Sequence, residues 1–329
     1  MNCLVTGCAG FIGSHLTESL LGDGHHVVGV DCFNANYGRT QKLKNLREAQ
    51  EWEAFDFVPI DLSRGDLTDL VSDCDVVFHL AAEPGVRPSW GERFEAYVRN
   101  NILTTQMLLD AMRSWPERRF VYASSSSVYG DAESFPTPES VMPNPLSPYG
   151  ATKLGGEHLC NLYHANYGVE TVMLRYFTVY GPRQRPDMAF NLFCGAALAK
   201  QPIEVFGDGT QTRDFTFVSD VVAATRAAGV AVGLGERVFN VGGGSQIALK
   251  EALGQIEELT GRRLDVRYGA PRPGDVRDTG ADTTRAREAL GYRPAVSFSE
   301  GIRAEFEWMC ETGDAGREPA VTPGRVDGV

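Results

Sequence analysis

The sequence has few of the features that bind metals, cross membranes or form disulfides. Its seven cysteines are scattered, with no CxxC pair and no histidines at metal-ligand spacing. No apolar run approaches the roughly 20 residues of a membrane helix, and the opening MNCLVTG lacks a basic segment followed by an apolar one. We therefore expect a cytoplasmic protein with reduced thiols, no metal and no membrane partner.

Positive charge is also scarce. Lys and Arg total 31 against 43 Asp and Glu, which gives a net charge of −12. Such a protein repels a phosphate backbone at long range, so we expect no nucleic-acid partner. If its substrate is an anion, a few arginines must form a locally positive pocket.

The chain predicts an α/β fold with a Rossmann-type doubly wound parallel sheet and a smaller C-terminal lobe. Short β-branched runs (NCLVT, HHVVGVD, FDFVPID, DVVFHLA, RRFVYAS) alternate with helical patterns, which is typical of parallel strands joined by crossover helices. Beyond residue 180 the sequence becomes rich in Pro, Gly and Arg. We predict a dinucleotide-binding domain over 1–180, a substrate lobe over 181–312 with segments that cross back, and a mobile tail over 313–329.

A glycine-rich loop follows the first predicted strand. TGCAGFIG places Gly7, Gly10 and Gly13 between NCLVT and a helix whose apolar residues recur every four positions. Glycines there permit a tight turn and a close approach of a pyrophosphate to the N–H groups of the helix N-terminus. The loop therefore predicts a dinucleotide site.

An acidic residue ends the second predicted strand. Asp31 stands where a carboxylate accepts hydrogen bonds from the adenosine ribose and repels a 2′-phosphate, so NAD is favoured over NADP. Asp61 and Leu62 close the third strand and would lie near the adenine. For those two residues, a plain strand end is an equally good interpretation.

A tyrosine and a lysine in SPYGATK form the candidate catalytic pair. Tyr149 and Lys153 are four residues apart, and Pro148 suits the first turn of a helix, so both side chains should project from one face. Lowering the pKa of a tyrosine from about 10 by three units needs roughly 4 kcal/mol, which nearby cations could supply. A serine run, 124–127, follows RRFVYA at the carboxyl end of the sheet, where a hydroxyl can share the proton.

These motifs resemble one known family. TGxxGFIG, the serine run before VYG, YxxxK and RPGDVRD together are similar to the NAD-dependent sugar-nucleotide epimerases and dehydratases of the extended short-chain dehydrogenase/reductase family, over about residues 1–310. The resemblance implies that a hydride passes from the sugar to NAD and returns. It implies that Tyr149 is the base, that Lys153 holds it and the nicotinamide ribose, and that Ser125 is the catalytic hydroxyl.

The resemblance also implies a set of cofactor contacts from the glycine loop, the strand ends and the catalytic helix. They are Gly7, Gly10, Phe11, Ile12, Gly13, Asp31, Asn34, Asp61, Leu62, Leu80, Ala81, Ala82, Asn101, Tyr149, Lys153 and Tyr176.

The serine run distinguishes between reactions. The 4,6-dehydratases of the family carry Asp and Glu directly after the catalytic hydroxyl, where this chain has Ser126 and Ser127. The UDP-glucuronate decarboxylases carry a Glu immediately before the matching VYG. With neither acid present, 4-epimerisation is the simplest remaining reaction.

The segment FTVYGPRQRPDMAF indicates the sugar. It resembles the UDP-glucuronate 4-epimerases more than the UDP-glucose enzymes, which have Asn where this chain has Thr178. Arg185 can pair with a carboxylate, and Ser126, Ser127 and Thr178 can donate to it. HLAAEPGVR fits the same branch except at Glu83, where the family more often has Gln, and an added carboxylate beside an anionic sugar is unfavourable unless it is paired.

The remaining implied substrate contacts lie in the second half of the chain and in the EPGVR loop. The resemblance assigns Arg213, Arg272 and Asp275 to the UDP diphosphate and ribose, and the complete set of implied substrate contacts is Arg87, Ser125, Ser126, Ser127, Tyr149, Thr178, Arg185, Val205, Phe206, Arg213, Arg272 and Asp275. The main prediction is UDP-glucuronate 4-epimerisation. A UDP-glucose or UDP-N-acetylglucosamine 4-epimerase is the second hypothesis, followed by a UDP-glucuronate decarboxylase, a 4,6-dehydratase and a non-catalytic NAD-sensing protein. Family members dimerise through two helices, predicted here over 94–113 and 149–167, so a homodimer is expected.

Overall fold

The computed structural model describes residues 1–34, 36–272 and 274–313. Its strands are β1 Asn2–Thr6, β2 His26–Val30, β3 Phe55–Val58, β4 Val76–His79, β5 Arg119–Ser125, β6 Glu170–Tyr176, β7 Thr178–Tyr180, β8 Ile203–Phe206, β9 Thr212–Phe217, β10 Val238–Val241, β11 Gln246–Ala248 and β12 Val266–Gly269. Its helices are α1 Phe11–Gly22, α2 Arg39–Leu46, α3 Thr68–Val71, α4 Phe94–Tyr97, α5 Thr104–Ala111, α6 Pro148–Tyr167, α7 Ala189–Ala199, α8 Val218–Val230, α9 Leu249–Thr260, α10 Thr284–Leu290 and α11 Phe298–Thr312.

Seven strands form one parallel sheet in the order β3–β2–β1–β4–β5–β6–β10. Apolar side chains on both faces of these strands are buried: one core includes residues of α1 and α8, and the other includes residues of α5 and α6. Strands covered on both faces have continuous apolar sequences, which is why DVVFHLA and NCLVT were recognisable. The predicted α/β doubly wound fold is confirmed.

A smaller lobe contains a three-stranded sheet, β11–β9–β7, and a parallel pair, β12–β8. Its core is aromatic, with Tyr180, Phe190, Phe215 and Phe298 in mutual ring contact. The chain does not remain in this lobe after residue 181, because β10 returns to the large sheet and pairs with β6. The two bodies are therefore interlaced along the sequence.

The helix that carries the candidate catalytic pair is α6. It begins as its sequence predicts: Ser147 accepts a hydrogen bond from Gly150 N (3.1 Å), Pro148 occupies the first turn, and Gly168 ends the helix at φ +75°. The predicted helix over 94–113 consists of α4, a π-helical segment at Val98–Leu103 and α5. Among the described residues, no helix is both long and apolar enough to traverse a bilayer. The predicted mobile tail lies outside the described residues from 314 onward.

Candidate active site

The glycine loop joins β1 to α1 at the carboxyl edge of the large sheet. Gly7 has φ +73°, and a Cβ there would lie 2.9 Å from Ala81 N. A Cβ on Gly13 would overlap the carbonyl oxygen of Gly7, to which Gly10 N donates a hydrogen bond of 2.9 Å. The first turn of α1 has no side-chain cap and no acidic residue. The loop and the positive end of the helix therefore fit a diphosphate.

One cleft extends along this edge of the sheet from Asp31 to Tyr149. Every predicted cofactor contact lines the cleft except Asn101. Asn101 is instead buried, where its Oδ1 accepts a hydrogen bond from Glu83 N (2.7 Å) and its Nδ2 donates to Thr152 Oγ1 (3.0 Å). The side chain fixes the backbone that carries Glu83, and its predicted contact with the cofactor stays a prediction.

A lysine that the sequence reasoning missed lies beside Asp31. Lys42 in α2 is buried, with Nζ 3.3 Å from Asp31 Oδ1 and 2.6 Å from Asn34 Oδ1. Asp31 Oδ1 also accepts from Phe33 N (2.7 Å). The ammonium stabilises a buried carboxylate that would otherwise lack a partner of opposite charge. TQKLKNL reads as an ordinary amphipathic helix, so its spacing gave no signal for this role.

The catalytic pair projects from the start of α6 toward the end of β5. Lys153 Nζ donates to Ala123 O (2.8 Å), and burial lowers the pKa of Lys153 to about 8. Burial raises the pKa of Tyr149, while a hydrogen bond with Ser125 and the charge of Arg185 act in the opposite direction. A Cβ on Gly150 would lie 2.5 Å from Ser127 O, so the helix contacts the serine run directly. A phenol and a hydroxyl in this arrangement can share one proton.

The four serines have different environments. Ser125 Oγ donates to Ser127 Oγ (3.1 Å) and accepts from Ser127 N (3.1 Å), which folds the run into one 3₁₀ turn. Ser124 donates to Glu157 Oε1 (2.5 Å), and Glu157 forms a buried pair with Arg175 through bonds of 2.9 and 2.7 Å. Ser124 thus anchors the run to α6 and β6, whereas Ser125 faces Tyr149.

Glu83 is buried and paired, which resolves the tension noted in the sequence. Its Oε1 accepts from Arg93 Nη2 (3.1 Å), and its Oε2 accepts from Asn100 Nδ2 (3.2 Å) and Asn34 Nδ2 (3.4 Å). The added carboxylate therefore has three donors around it and joins the loop after β2 to the helical segment at Val98–Leu103.

Arg185 lines the same cleft as Tyr149 and Tyr176. Its Nε and Nη2 donate to the carboxylate of Asp187, and the charge of Asp187 raises the pKa of Arg185 despite its burial. Thr178 begins β7, two residues beyond the end of β6. Arg185, the predicted sugar-end arginine, therefore lies near the candidate catalytic Tyr149.

A second cleft lies in the smaller lobe. Phe206, Arg213, Arg272 and Asp275 line it, and Arg87 reaches it from the larger body through bonds of 2.6 and 3.2 Å to Asp275. Two guanidinium groups, those of Arg87 and Arg272, lie over the Phe206 ring at 4.6 and 4.4 Å.

Of the predicted contacts in this second cleft, Val205 does not line it, and Arg213 lines it but also binds backbone carbonyl groups. Val205 is buried in the core of the lobe because side chains alternate along β8, so only its neighbour Phe206 faces the cleft. Arg213 donates to the carbonyl oxygens of Thr212 (2.8 Å) and Arg277 (2.6 Å), and burial lowers its pKa. Through these bonds Arg213 also fixes the backbone of the loop around Arg277.

Comparisons with known proteins identify relatives over nearly the whole chain. The family model described as GDP-mannose 4,6 dehydratase matches residues 4–305. The UDP-glucuronic acid 4-epimerase of Bacillus cereus, solved with UDP-glucuronic acid and NAD, is 44% identical with a TM-score of 0.90, covering 95% of this chain and 100% of that one. MoeE5, solved with UDP-glucuronic acid and NAD, is 42% identical with a TM-score of 0.85 over 95% of this chain and 100% of that one, and it was also solved with UDP-glucose and NAD. A Bacillus subtilis relative, YtcB, described as an uncharacterized UDP-glucose epimerase, is 44% identical over 94% of this chain and 98% of its own length.

Proposed function

The chain belongs to the NAD-dependent epimerase/dehydratase family, and on that basis we propose that it interconverts UDP-glucuronic acid and UDP-galacturonic acid. The Bacillus cereus relative and MoeE5, both solved with UDP-glucuronic acid and NAD, support the substrate class and the cofactor. The observation that carries the choice of a uronate is Arg185, a guanidinium that lines the cleft beside Tyr149.

The residues of the cofactor cleft fit NAD. The glycine loop leaves room for a diphosphate at the start of α1, and Asp31 stands at the far end of the cleft where the adenosine ribose would lie. When bound, NAD would supply a hydride acceptor at C4 of the sugar and return the hydride to the opposite face. The negative charge of Asp31 disfavours the 2′-phosphate of NADP.

Tyr149 performs the proton transfer in this proposal. Its phenol oxygen takes the proton of the sugar C4 hydroxyl, and Ser125, which shares a hydrogen bond with it, orients that hydroxyl. Lys153 contributes positive charge from a buried position fixed by Ala123 O, and this charge favours the phenolate. After the 4-keto sugar turns over in the cleft, the same phenol returns the proton on the other face.

The residues around the serine run favour epimerisation over elimination. A 4,6-dehydratase needs an acid for the C6 hydroxyl and a base for the C5 proton, but Ser126 and Ser127 follow Ser125 in this chain. Both hydroxyls are uncharged and suit hydrogen bonding to a carboxylate instead. The matching family model is described as a 4,6-dehydratase, and we take from it that the chain belongs to the family but not that it catalyses dehydration.

A uronate substrate must be protected from decarboxylation during the reaction. Oxidation at C4 places a ketone β to the C5 carboxylate, and such an acid loses carbon dioxide when the carboxylate aligns over the carbonyl. We propose that Arg185, together with Ser126, Ser127 and Thr178, holds the carboxylate in an orientation that disfavours this loss. The pairing of Arg185 with Asp187 fixes the plane of the guanidinium for that role.

The test is proton NMR of the purified protein with UDP-glucuronic acid and, in parallel, UDP-glucose, without added reductant. The proposal predicts conversion of the glucuronate to its galacto epimer, seen in the H4 and anomeric signals, with much slower change of UDP-glucose. Turnover of UDP-glucose alone would contradict the uronate assignment and leave the 4-epimerase chemistry standing. Accumulation of UDP-xylose would instead indicate a decarboxylase.

A UDP-glucose 4-epimerase is the second candidate. It is favoured by the relative YtcB and by the complex of MoeE5 with UDP-glucose. In this structure it is also favoured by Asp187, because that carboxylate already neutralises much of the charge of Arg185.

We also propose that the protein forms a homodimer through α4, the π-helical segment, α5 and α6. Exposed apolar side chains occur on these helices, at Phe94, Val98, Leu103, Leu162 and Tyr167. Together they would form a four-helix contact with a second copy. Sedimentation velocity of the wild type and of Leu162→Glu tests this, with a dimer expected for the first and a shift toward monomer for the second. A monomeric wild type at micromolar concentration would overturn it.

A further inference from the structure

The loop that carries Arg185 is tied to the second turn of α1. His15 Nε2 lies 2.9 Å from Pro182 O, and Arg183 Nη1 donates to Glu18 Oε1 at 2.7 Å. His15 and Glu18 are three residues apart and therefore share one helix face. A carbonyl oxygen only accepts, so His15 donates through Nε2–H. Burial and the Arg183 charge lower the pKa of His15 to about 4, which agrees with a neutral imidazole.

The backbone of this loop has a left-handed conformation at Arg183. Arg183 has φ +66°, a left-handed value that L residues other than Gly, Asn and Asp seldom adopt. Its side chain is nevertheless largely buried and contacts both Glu18 and Glu48, the latter at 3.4 Å. A residue with a side chain keeps such a backbone only when its surroundings hold it there. The ion pair to α1 provides that constraint.

Residues on both sides of Arg183 are fixed as well. Gly181 N donates to Glu305 Oε2 (2.8 Å), and the Gln184 side chain bonds to Val179 O (3.1 Å) and Asn191 N (2.9 Å). These bonds secure the loop to the smaller lobe. The bonds from His15 and Glu18 secure it to the helix that begins at the glycine loop.

We infer that His15 and Glu18 are positioning residues, which act through Pro182 and Arg183 to set Arg185 relative to Tyr149. The inference rests on the proposed function, because it assigns Arg185 to the sugar carboxylate. One helix then serves both ligands: its N-terminus faces the cofactor diphosphate, and its second turn fixes the arginine at the sugar end. Sugar selectivity therefore depends on contacts made outside the cleft.

The test compares His15→Phe, which keeps a ring against Phe11, and Arg183→Gly, which accepts the left-handed backbone but removes the ion pair. We expect kcat/KM for UDP-glucuronic acid to fall by about tenfold or more, mainly through KM, because small displacements of a binding group are costly. We expect kcat/KM for UDP-glucose to change by no more than about twofold. Arg183→Lys keeps a cation near Glu18 and should restore most of the uronate activity.

Two matched variants control for general damage. Arg226→Ala breaks the contacts of α8 with Ser19 of helix α1 and with Asp23 directly after that helix. Lys200→Gly places a glycine at a left-handed backbone position (φ +58°) directly after α7. Neither touches the 181–188 loop. Both should leave the ratio of the two kcat/KM values unchanged, whereas a loss of overall stability would lower both activities together.

Hydrogen exchange of the NAD-bound protein supplies a readout that does not depend on the sugar. Amides of the 181–188 segment should exchange about tenfold faster in His15→Phe and Arg183→Gly than in the wild type. Unchanged selectivity would overturn the inference, whatever the exchange rates. If the wild type does not act on UDP-glucuronic acid, the proposed function fails, and unchanged exchange would then show separately that α1 does not hold the loop.

Discussion

Arg185 and Asp187 form two parallel hydrogen bonds, 2.9 Å from Nε to Oδ1 and 2.8 Å from Nη2 to Oδ2. The pair uses one edge of the guanidinium, so an incoming carboxylate would meet the Nη1 side. Arginine suits this geometry because its fork is planar and permanently charged. Asp187 thus orients Arg185 and offsets its positive charge within the cleft at the same time.

Replacement of Arg185 by Ala should lower kcat/KM for UDP-glucuronic acid about a hundredfold, since a charge-assisted hydrogen bond contributes roughly 2–3 kcal/mol. A pentose nucleotide should appear beside the epimer, because the β-keto acid is no longer held. Both quantities can be measured in one NMR time course. Unchanged affinity and no pentose product would contradict the role assigned to Arg185.

Arg185→Lys is the matched variant. It keeps the charge and loses the fork, so UDP-glucuronic acid should still bind with an intermediate KM. UDP-glucose turnover should differ little between the two variants.

Tyr149→Phe should reduce turnover by a factor of about 10² to 10⁴, the usual contribution of general acid–base catalysis. The phenyl ring keeps its edge contact with Tyr97, so the fold and NAD binding should persist. Steady-state rates and the NAD content of the purified variant check this. A variant that loses NAD along with activity would point to a structural effect instead.

Gly13→Ala should weaken cofactor binding, because the added methyl overlaps the Gly7 carbonyl within the loop. Overpacking of this kind costs roughly 3 kcal/mol, or about a hundredfold in NAD affinity. Gly22→Ala is the control in the same helix, where a Cβ meets nothing within 4 Å. It should leave NAD affinity unchanged and stabilise the protein by up to about 1 kcal/mol. Calorimetric titration of the two apo-proteins with NAD measures the affinities, and urea unfolding measures the stability.

The sheet and the glycine loop could be predicted from sequence because each leaves a local signal. Buried parallel strands are continuously apolar, and Gly10 and Gly13 both lie against the carbonyl oxygen of Gly7, a few residues before them. The start of α6 is equally local, with Ser147 and Pro148 adjacent to the helix that they define.

The partners of Lys42 and Asn101 could not be predicted from local sequence patterns. The ammonium of Lys42 meets Asp31 only because the chain folds back after β2, and the pattern around it is that of a surface helix. Asn101 was assigned to the cofactor by resemblance, yet its amide is used by Glu83 and Thr152. Partners distant in sequence decide such roles, and no spacing within one segment encodes them.

Glu83→Gln should destabilise the protein by roughly 1–3 kcal/mol. Donors from Arg93, Asn34 and Asn100 surround the carboxylate, so one of them would face an amide NH₂ group. The KM for UDP-glucuronic acid should change by less than about threefold, since Arg93 already compensates the charge. Urea unfolding measures the stability, with exposed Glu92→Gln as the neutral reference. A Glu83→Gln protein as stable as the Glu92→Gln protein would show that the three donors are not essential.

The unfolding free energy should depend on pH through His79. This ring is buried between Thr6 Oγ1 (2.8 Å) and Thr105 Oγ1 (3.0 Å), and burial lowers its pKa to about 3. The unfolded chain binds a proton near pH 6.5 while the folded protein does not. The contribution of His79 is therefore complete above pH 6.5 and falls by up to about 1.4 kcal/mol per pH unit toward pH 3.

The measurement is urea unfolding of wild type and His79→Gln at pH 7, 6 and 5. The stability difference between the two proteins should shift in favour of the variant as the pH falls. Other groups such as Asp214, whose pKa burial raises to about 6, are common to both proteins and cancel in the difference. Parallel pH dependences would contradict a neutral buried His79.

The return of β10 to the large sheet limits how this enzyme can be recombined. A cut near residue 180 would leave β6 as an edge strand and would separate α8 from α1, against which it packs. The smaller lobe therefore cannot be exchanged for that of a relative through a single junction in the sequence. A chimera that takes its sugar-binding part from a relative needs at least two exchanged segments, one on each side of the stretch from α8 to β10, with Val238–Val241 kept from the parent sheet.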